Sequence, residues 1–199
     1  MTRFAITWDY RCPFARNANE HVVTAVKGGA PYEVEFVPFS LSQVHVEEGG
    51  RAVWDDPEKA RDLLAIEVGI AVRNLYPDKF LDVHLALFGC RHDKGNDIRE
   101  RDVLADVLAE NDLDVRAIFS EVDSGSPRKE FRASHEAAVA EHSVFGVPTF
   151  IVGSGAAFVR IMTRPDGDAA LARRTIDGIV ETIVGRPEIN EIKHTTIPH

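Results

Sequence analysis

The stretch from Thr7 to Arg16 constrains this chain most. An apolar strand-like run, Phe4–Trp8, leads into it, and a helix-like run from Phe14 to Lys27 leads out. Cys12–Pro13 stands at the junction. Proline is favoured at the first helical position, because its missing N–H would have no partner there and its φ is already helical. Cys12 is therefore expected at a helix N-terminus, where unpaired N–H groups and the helix dipole favour negative charge. Such a placement contributes about 0.3–1 kcal/mol, up to about 2 when partly buried, and would bring a thiol titrating near 8.5 down to about 7. Arg11 and Arg16 would lower it further if they point inward, and Asp9 would oppose them. The plain alternative is a buried, inert cysteine.

The chain beyond this junction reads as α/β. Ala18, Val22, Val23 and Val26 recur at helical spacing, and Gly28–Gly29 ends that helix. Tyr32–Val37 alternates as a second strand, so the start is a βαβ unit with a parallel strand pair. Ser40–Gly50 reads as a loop. From Pro57 onward the pattern is helical for about 70 residues, with apolar faces led by Leu64, Phe80, Val103 and Val115. Pro127 opens a further helix. Gly146–Val147–Pro148 breaks it, Thr149–Val152 is a short strand, and Ala156–Met162 is its hairpin partner across Gly153–Ser154–Gly155. A last helix carries Ala172, Ile176 and Ile183, and a polar tail runs to His199. With the helical block removed, the order is βαβ–α–ββα, that of a thioredoxin fold. The expected division is a thioredoxin-like domain over residues 1–52 and 126–199, with an all-helical insertion over 53–125.

Charge and cysteine content narrow the function classes. With 23 Lys and Arg against 32 Asp and Glu, the net charge is −9, which argues against a general nucleic-acid footprint. No stretch approaches the roughly 20 apolar residues of a membrane span. The start Met1–Phe4 runs directly into a strand without an apolar leader, so a cytoplasmic protein is expected. Cys12 and Cys90 form no close-spaced motif, and no Cys/His cluster has metal-ligand spacing, so no metal is expected. Cys90 reads as a small packing residue, with the alternative that it resolves Cys12 from a distance. His84 falls on an apolar face and reads as a partnered core histidine.

The chain resembles the DsbA-like branch of the thioredoxin superfamily, and within it the actinobacterial mycothiol-dependent nitroreductases and FrnE-like proteins. The resemblance rests on Asp9–Ala15, on Phe39–Ser40–Leu41, on Gly95–Ile98, on Ser134–His135, on Val144–Phe150 and on Glu191–Lys193. It implies that Val147–Pro148 is a cis bond facing Cys12. It also implies a thiol oxidoreductase with Cys12 as nucleophile, supported by Pro13, Phe14, Arg11, Arg16, Val147 and Pro148. Trp8, Tyr10, Ser40, His92 and His135 would line a substrate cleft. The implied co-substrate is a low-molecular-weight thiol, mycothiol or glutathione, acting on a disulfide or small electrophile, and a homodimer is possible. One position departs from the family pattern. Ala15 stands where the second cysteine of a Cys–x–x–Cys motif belongs, so dithiol chemistry within this motif is excluded and a second thiol must come from elsewhere. Two alternatives stay open. One is a non-redox enzyme like the kappa-class glutathione transferases and 2-hydroxychromene-2-carboxylate isomerases, which share the fold and carry serine at the Cys12 position. The other is a redox-inactive binding module.

Overall fold

The computed structural model describes residues 1–197; Pro198 and His199, the end of the expected tail, lie outside the described residues. The sheet is built first by β1 (Thr2–Trp8) and β2 (Tyr32–Pro38), joined through α1 (Pro13–Lys27). They pair in parallel, with Ile6 opposite Phe36 and Trp8 opposite Pro38. β3 (Thr149–Val152) adds to the other side of β1, antiparallel, and β4 (Gly155–Phe158) completes the order β2-β1-β3-β4. Phe4, Ile6 and Trp8 alternate along β1 and are all buried, as the two-residue side-chain period requires.

Between β2 and β3 the chain is helical. After the one-turn α2 (Leu41–Val44) and two 3-10 turns come α3 (Ala60–Leu75), α4 (Pro77–His92), α5 (Arg101–Glu110) and α6 (Val115–Asp123). The long α7 (Ser126–His142) then returns to β3, and α8 (Ala169–Gly185) closes the fold. Among the described residues, no helix is long and apolar enough to cross a membrane.

Three details differ from the sequence expectations. The expected 40–50 loop contains α2, because the Ser40 hydroxyl accepts the Gln43 N–H at 3.1 Å and caps a helical turn. β4 stops at Phe158 rather than Met162. After it the chain leaves the sheet to cross α1, where the Asn17 amide donates to the Ile161 carbonyl at 2.9 Å and the His21 ring pairs with the Thr163 carbonyl. The tail from 187 to 197 is exposed and carries neither helix nor strand.

The insertion is tied to the sheet through a buried aromatic cluster. Trp8 and Tyr10 pack with tilted rings at 4.6 Å, and His84 and Phe88 of α4 meet Tyr10 at 5.3 and 4.8 Å. Within this cluster the Asn19 amide donates to the Ala15 carbonyl, which turns its oxygen toward His84. His84 therefore carries its proton on Nε2 and accepts the Tyr10 hydroxyl on Nδ1, at 2.9 Å. Tyr10, His84 and Asn19 are thereby all partnered, whereas the buried Trp8 indole N–H beside them has no hydrogen-bond partner among the described residues. Desolvation holds the His84 ring near a pKa of about 3, so it stays neutral.

Gly69 of α3 makes this packing possible. A Cβ there would lie 2.5 Å from the Tyr10 hydroxyl and 3.0 Å from the Trp8 ring. Gly69→Ala is expected to overpack the cluster at a cost of about 1–3 kcal/mol. Thermal unfolding would register this as a loss of about 2–4 °C for each kcal/mol. An unchanged melting temperature would show that Tyr10 moves aside freely.

Candidate active site

Cys12 is the N-cap of α1, in extended conformation, with Pro13 as the first helical residue. The turn before it is held by a buried carboxylate. Asp9 accepts the Arg11 backbone N–H at 2.9 Å and the Leu41 N–H at 3.0 Å, so one side chain pins both the Cys12 turn and the start of α2. His92, at the end of α4, meets the Tyr10 carbonyl at 2.9 Å from another side.

Two hydrogen bonds reach the Cys12 sulfur. The Ala15 N–H donates to Sγ at 3.4 Å, and the thiol donates to the Val147 carbonyl, also at 3.4 Å. The Val147–Pro148 peptide bond is cis. The loop behind it is fastened to β1: the Thr149 N–H donates to the Thr7 hydroxyl at 2.8 Å, and the Thr149 hydroxyl donates to the Gly146 carbonyl at 2.8 Å. The Val147 N–H makes no hydrogen bond among the described residues. Phe145, 67% exposed, stands at the rim against Phe158, and the Arg160 guanidinium lies 5.1 Å over the Phe14 ring.

The thiol is less acidic than the helix start alone predicts. Burial pushes the Cys12 thiol up, the Ala15 and Phe14 N–H groups draw it down, and Asp9 pushes it up again. At 7% exposure the desolvation of a thiolate outweighs the N-terminal N–H groups. The flanking arginines do not help. Arg11 forks onto Asp9 and reaches Ser42, and Arg16 grips both oxygens of Asp93 at 2.6 Å.

Other expected cleft residues are also placed elsewhere. Trp8 and Tyr10 are fully buried in the cluster under Gly69 and line no cleft. Ser40 is buried, its hydroxyl spent on the α2 cap. His135 is buried against Phe39 at 4.2 Å, and its Nδ1 accepts the Ser40 N–H, which fixes the tautomer. Desolvation lowers its pKa to about 4. Cys90 is buried in α4, its sulfur 3.7 Å from the Asn96 amide, and both cysteines are free thiols. Among the described residues, no three His, Cys, Asp or Glu side chains are grouped to hold a metal.

The sequence reading missed a groove of about 450 Å³ beside Arg11. Its walls include His45, Arg51 and Lys59, with Asp56 as the one carboxylate. Arg51 and Lys59 make no ion pair among the described residues. No local pattern announces it, since its cations come from a loop and a 3-10 turn that only the fold brings to Arg11.

Residues 6–163 match the family model of the DSBA-like thioredoxin domain. No curated protein matches the chain. Among solved structures, a 2-hydroxychromene-2-carboxylate isomerase is 14% identical with a TM-score of 0.65, over 92% of this chain and 98% of that one. The cytosolic disulfide reductase DsbM from Pseudomonas aeruginosa, solved with GSH, is 16% identical with a TM-score of 0.62, over 90% and 99%. Pseudomonas aeruginosa DsbA is 18% identical with a TM-score of 0.59, over 94% and 86%. At these identities the likeness is one of fold.

Proposed function

The chain belongs to the DSBA-like thioredoxin family, and from that premise we propose that it is a cytoplasmic thiol–disulfide exchange enzyme with one nucleophile, Cys12. The observation that carries this reading is the pair of contacts at its sulfur. The Ala15 N–H is positioned to stabilise a thiolate, and the Cys12 thiol meets the Val147 carbonyl of the loop that faces it. With alanine at position 15, the cycle runs through solution. The Cys12 thiolate attacks one sulfur of a disulfide, a mixed disulfide forms, and the other sulfur leaves as thiolate. A small thiolate then attacks the substrate sulfur of the mixed disulfide and releases Cys12 as thiolate. Val147, with a free N–H and an inward carbonyl, offers an extended substrate residue two backbone hydrogen bonds.

The basic groove favours a co-substrate thiol that carries carboxylates, glutathione in class, over an uncharged sugar thiol such as mycothiol, the co-substrate of the branch it resembles. Two exposed cations without carboxylate partners suit an acidic peptide at this edge. Each such pairing is worth about 0.2–1 kcal/mol. The double variant Arg51→Ala/Lys59→Ala is therefore expected to raise the KM for glutathione about 2- to 30-fold. Its kcat, and its KM for the uncharged 2-mercaptoethanol, would stay unchanged. Equal effects on both thiols would remove the groove from the thiol site.

Steady-state kinetics with glutathione and hydroxyethyl disulfide test the function itself. The reading predicts ping-pong patterns, because the mixed disulfide forms before the second thiol binds. Intersecting patterns, or no turnover above the uncatalysed rate, would overturn it.

A further inference from the structure

The two edges of the sheet are built differently. At one edge the Arg73 guanidinium donates to the Phe36 carbonyl of β2 at 2.8 Å, so Phe36 and Val34 are the residues whose backbone groups turn outward. Glu33 and Glu35 flank Val34. A second β2 laid antiparallel about Val34 would set Glu33 directly opposite Glu35, like charge against like, which resists pairing. The edge at β4 lacks this guard, since residues 143–159 carry no charged side chain. The Val159 N–H donates to the Pro148 carbonyl at 3.0 Å, and Ala157 stands opposite Phe150. By the alternation of an antiparallel ladder, Gly155 and Ala157 bond to β3, while Ala156 and Phe158 turn their N–H and C=O groups away from the sheet.

Apolar surface lies open on both sides of this edge. On one face Phe158 packs against Phe145 at 5.4 Å, and both rings are exposed. On the other, a Cβ at Gly155 would lie 3.0 Å from the Ile183 side chain, so the last turns of α8 run beside the strand. That helix is thinly covered. It buries only Ala172 and Ile176; Ile179, Val180 and Ile183 are half-buried, and Val184 is 63% exposed. An uncharged open edge between two uncovered apolar strips marks an interaction surface.

We propose that β4 is a homodimer interface, at which two copies of this chain pair antiparallel about Ala157 and join their four-stranded sheets into one. The edge complements itself in this register. Ala156 of each copy faces Phe158 of the other, and every outward N–H and C=O finds a partner. Each Phe158 ring has a small alanine opposite it. Ala157 meets its own counterpart at the close, non-bonded position, where a bulky side chain would collide. The two-fold axis stands upright on the sheet, so both α8 helices lie on one face and present Val184 toward each other. Phe158 supports Phe145 at the rim of the Cys12 site, so the partner strand borders that rim in both copies.

Light scattering and sedimentation equilibrium across the micromolar range read the association. The expected mass at the upper end is twice the 22.0 kDa of the chain. Ala156→Pro is expected to return it to a single chain, because proline removes an outward N–H and no bond to β3. Val184→Glu, which sets like charges across the axis, is expected to weaken association at least about tenfold. Amide exchange locates the contact without any variant. In the unaltered protein the Ala156 and Phe158 amides are expected to exchange at least about tenfold more slowly when concentrated than when dilute, while the Val34 amide keeps one rate. A single-chain mass throughout overturns the proposal. So does a doubled mass with the Ala156 and Phe158 amides unprotected, or one that persists in an Ala156→Pro protein shown by circular dichroism to be folded.

Discussion

Cys12→Ser is expected to abolish disulfide exchange, with a loss of at least about 10³-fold in kcat/KM and no change in fold. Serine keeps the cap geometry and can accept the Ala15 N–H, so the helix start survives. Its hydroxyl cannot form a stable mixed disulfide, and the second cysteine offers no bypass, since Cys90 is buried against Asn96. Circular dichroism and thermal melts separate the chemical loss from a structural one. A serine variant that lost exchange but kept a glutathione-dependent isomerisation or transfer would place the chain with non-redox members of the fold. Retention of full exchange would remove Cys12 from the chemistry.

A second large effect concerns acid. His84 and His135 are buried and neutral, with pKa values of about 3 and about 4, whereas an unfolded histidine titrates near 6.5. Between these values the unfolded chain binds more protons than the folded one, so stability rises with pH. Their full contribution is present above about pH 6.5 and is lost as the pH falls toward 4. Each histidine gives a slope approaching about 1.4 kcal/mol per pH unit, so the pair removes about 4 kcal/mol between pH 6 and 4.5. Against a total stability of about 5–15 kcal/mol, that brings acid unfolding within reach. Urea unfolding across pH 4.5–8 is expected to show a plateau above pH 7 and a steep fall below 6. In a His135→Asn protein the fall should be roughly half as steep. A flat profile down to pH 5 would show that both rings charge in place at little cost.

The elements legible in the sequence are those that depend on neighbours along the chain. Alternation marks β1 and β2, Cys12–Pro13 marks the start of α1, and Gly146–Val147–Pro148 marks the entry to β3. The α/β class and the helical block follow from these periods. The site was legible as far as Cys12 at a helix start; its facing wall came from a family resemblance. What failed depends on groups distant in sequence. Trp8 and Tyr10 look like cleft aromatics beside a cysteine, but Gly69 lets α3 close over them. Arg11 and Arg16 look like activating charges, but Asp9, Asp62 and Asp93 hold them elsewhere. The direction of the thiol shift failed for the same reason, because the burial that decides it comes from packing and not from the Cys–Pro pair. Arg51 and Lys59 carry no local signal and acquire meaning only beside Arg11.

The central claim is that Cys12 works alone and takes its second thiol from solution. Intact-mass measurement and peptide mapping after treatment with oxidised glutathione test this most directly. The account predicts one glutathionyl group per chain, carried on Cys12 and removed by added glutathione. An unmodified Cys12, or a Cys12–Cys90 disulfide in place of the adduct, would contradict it.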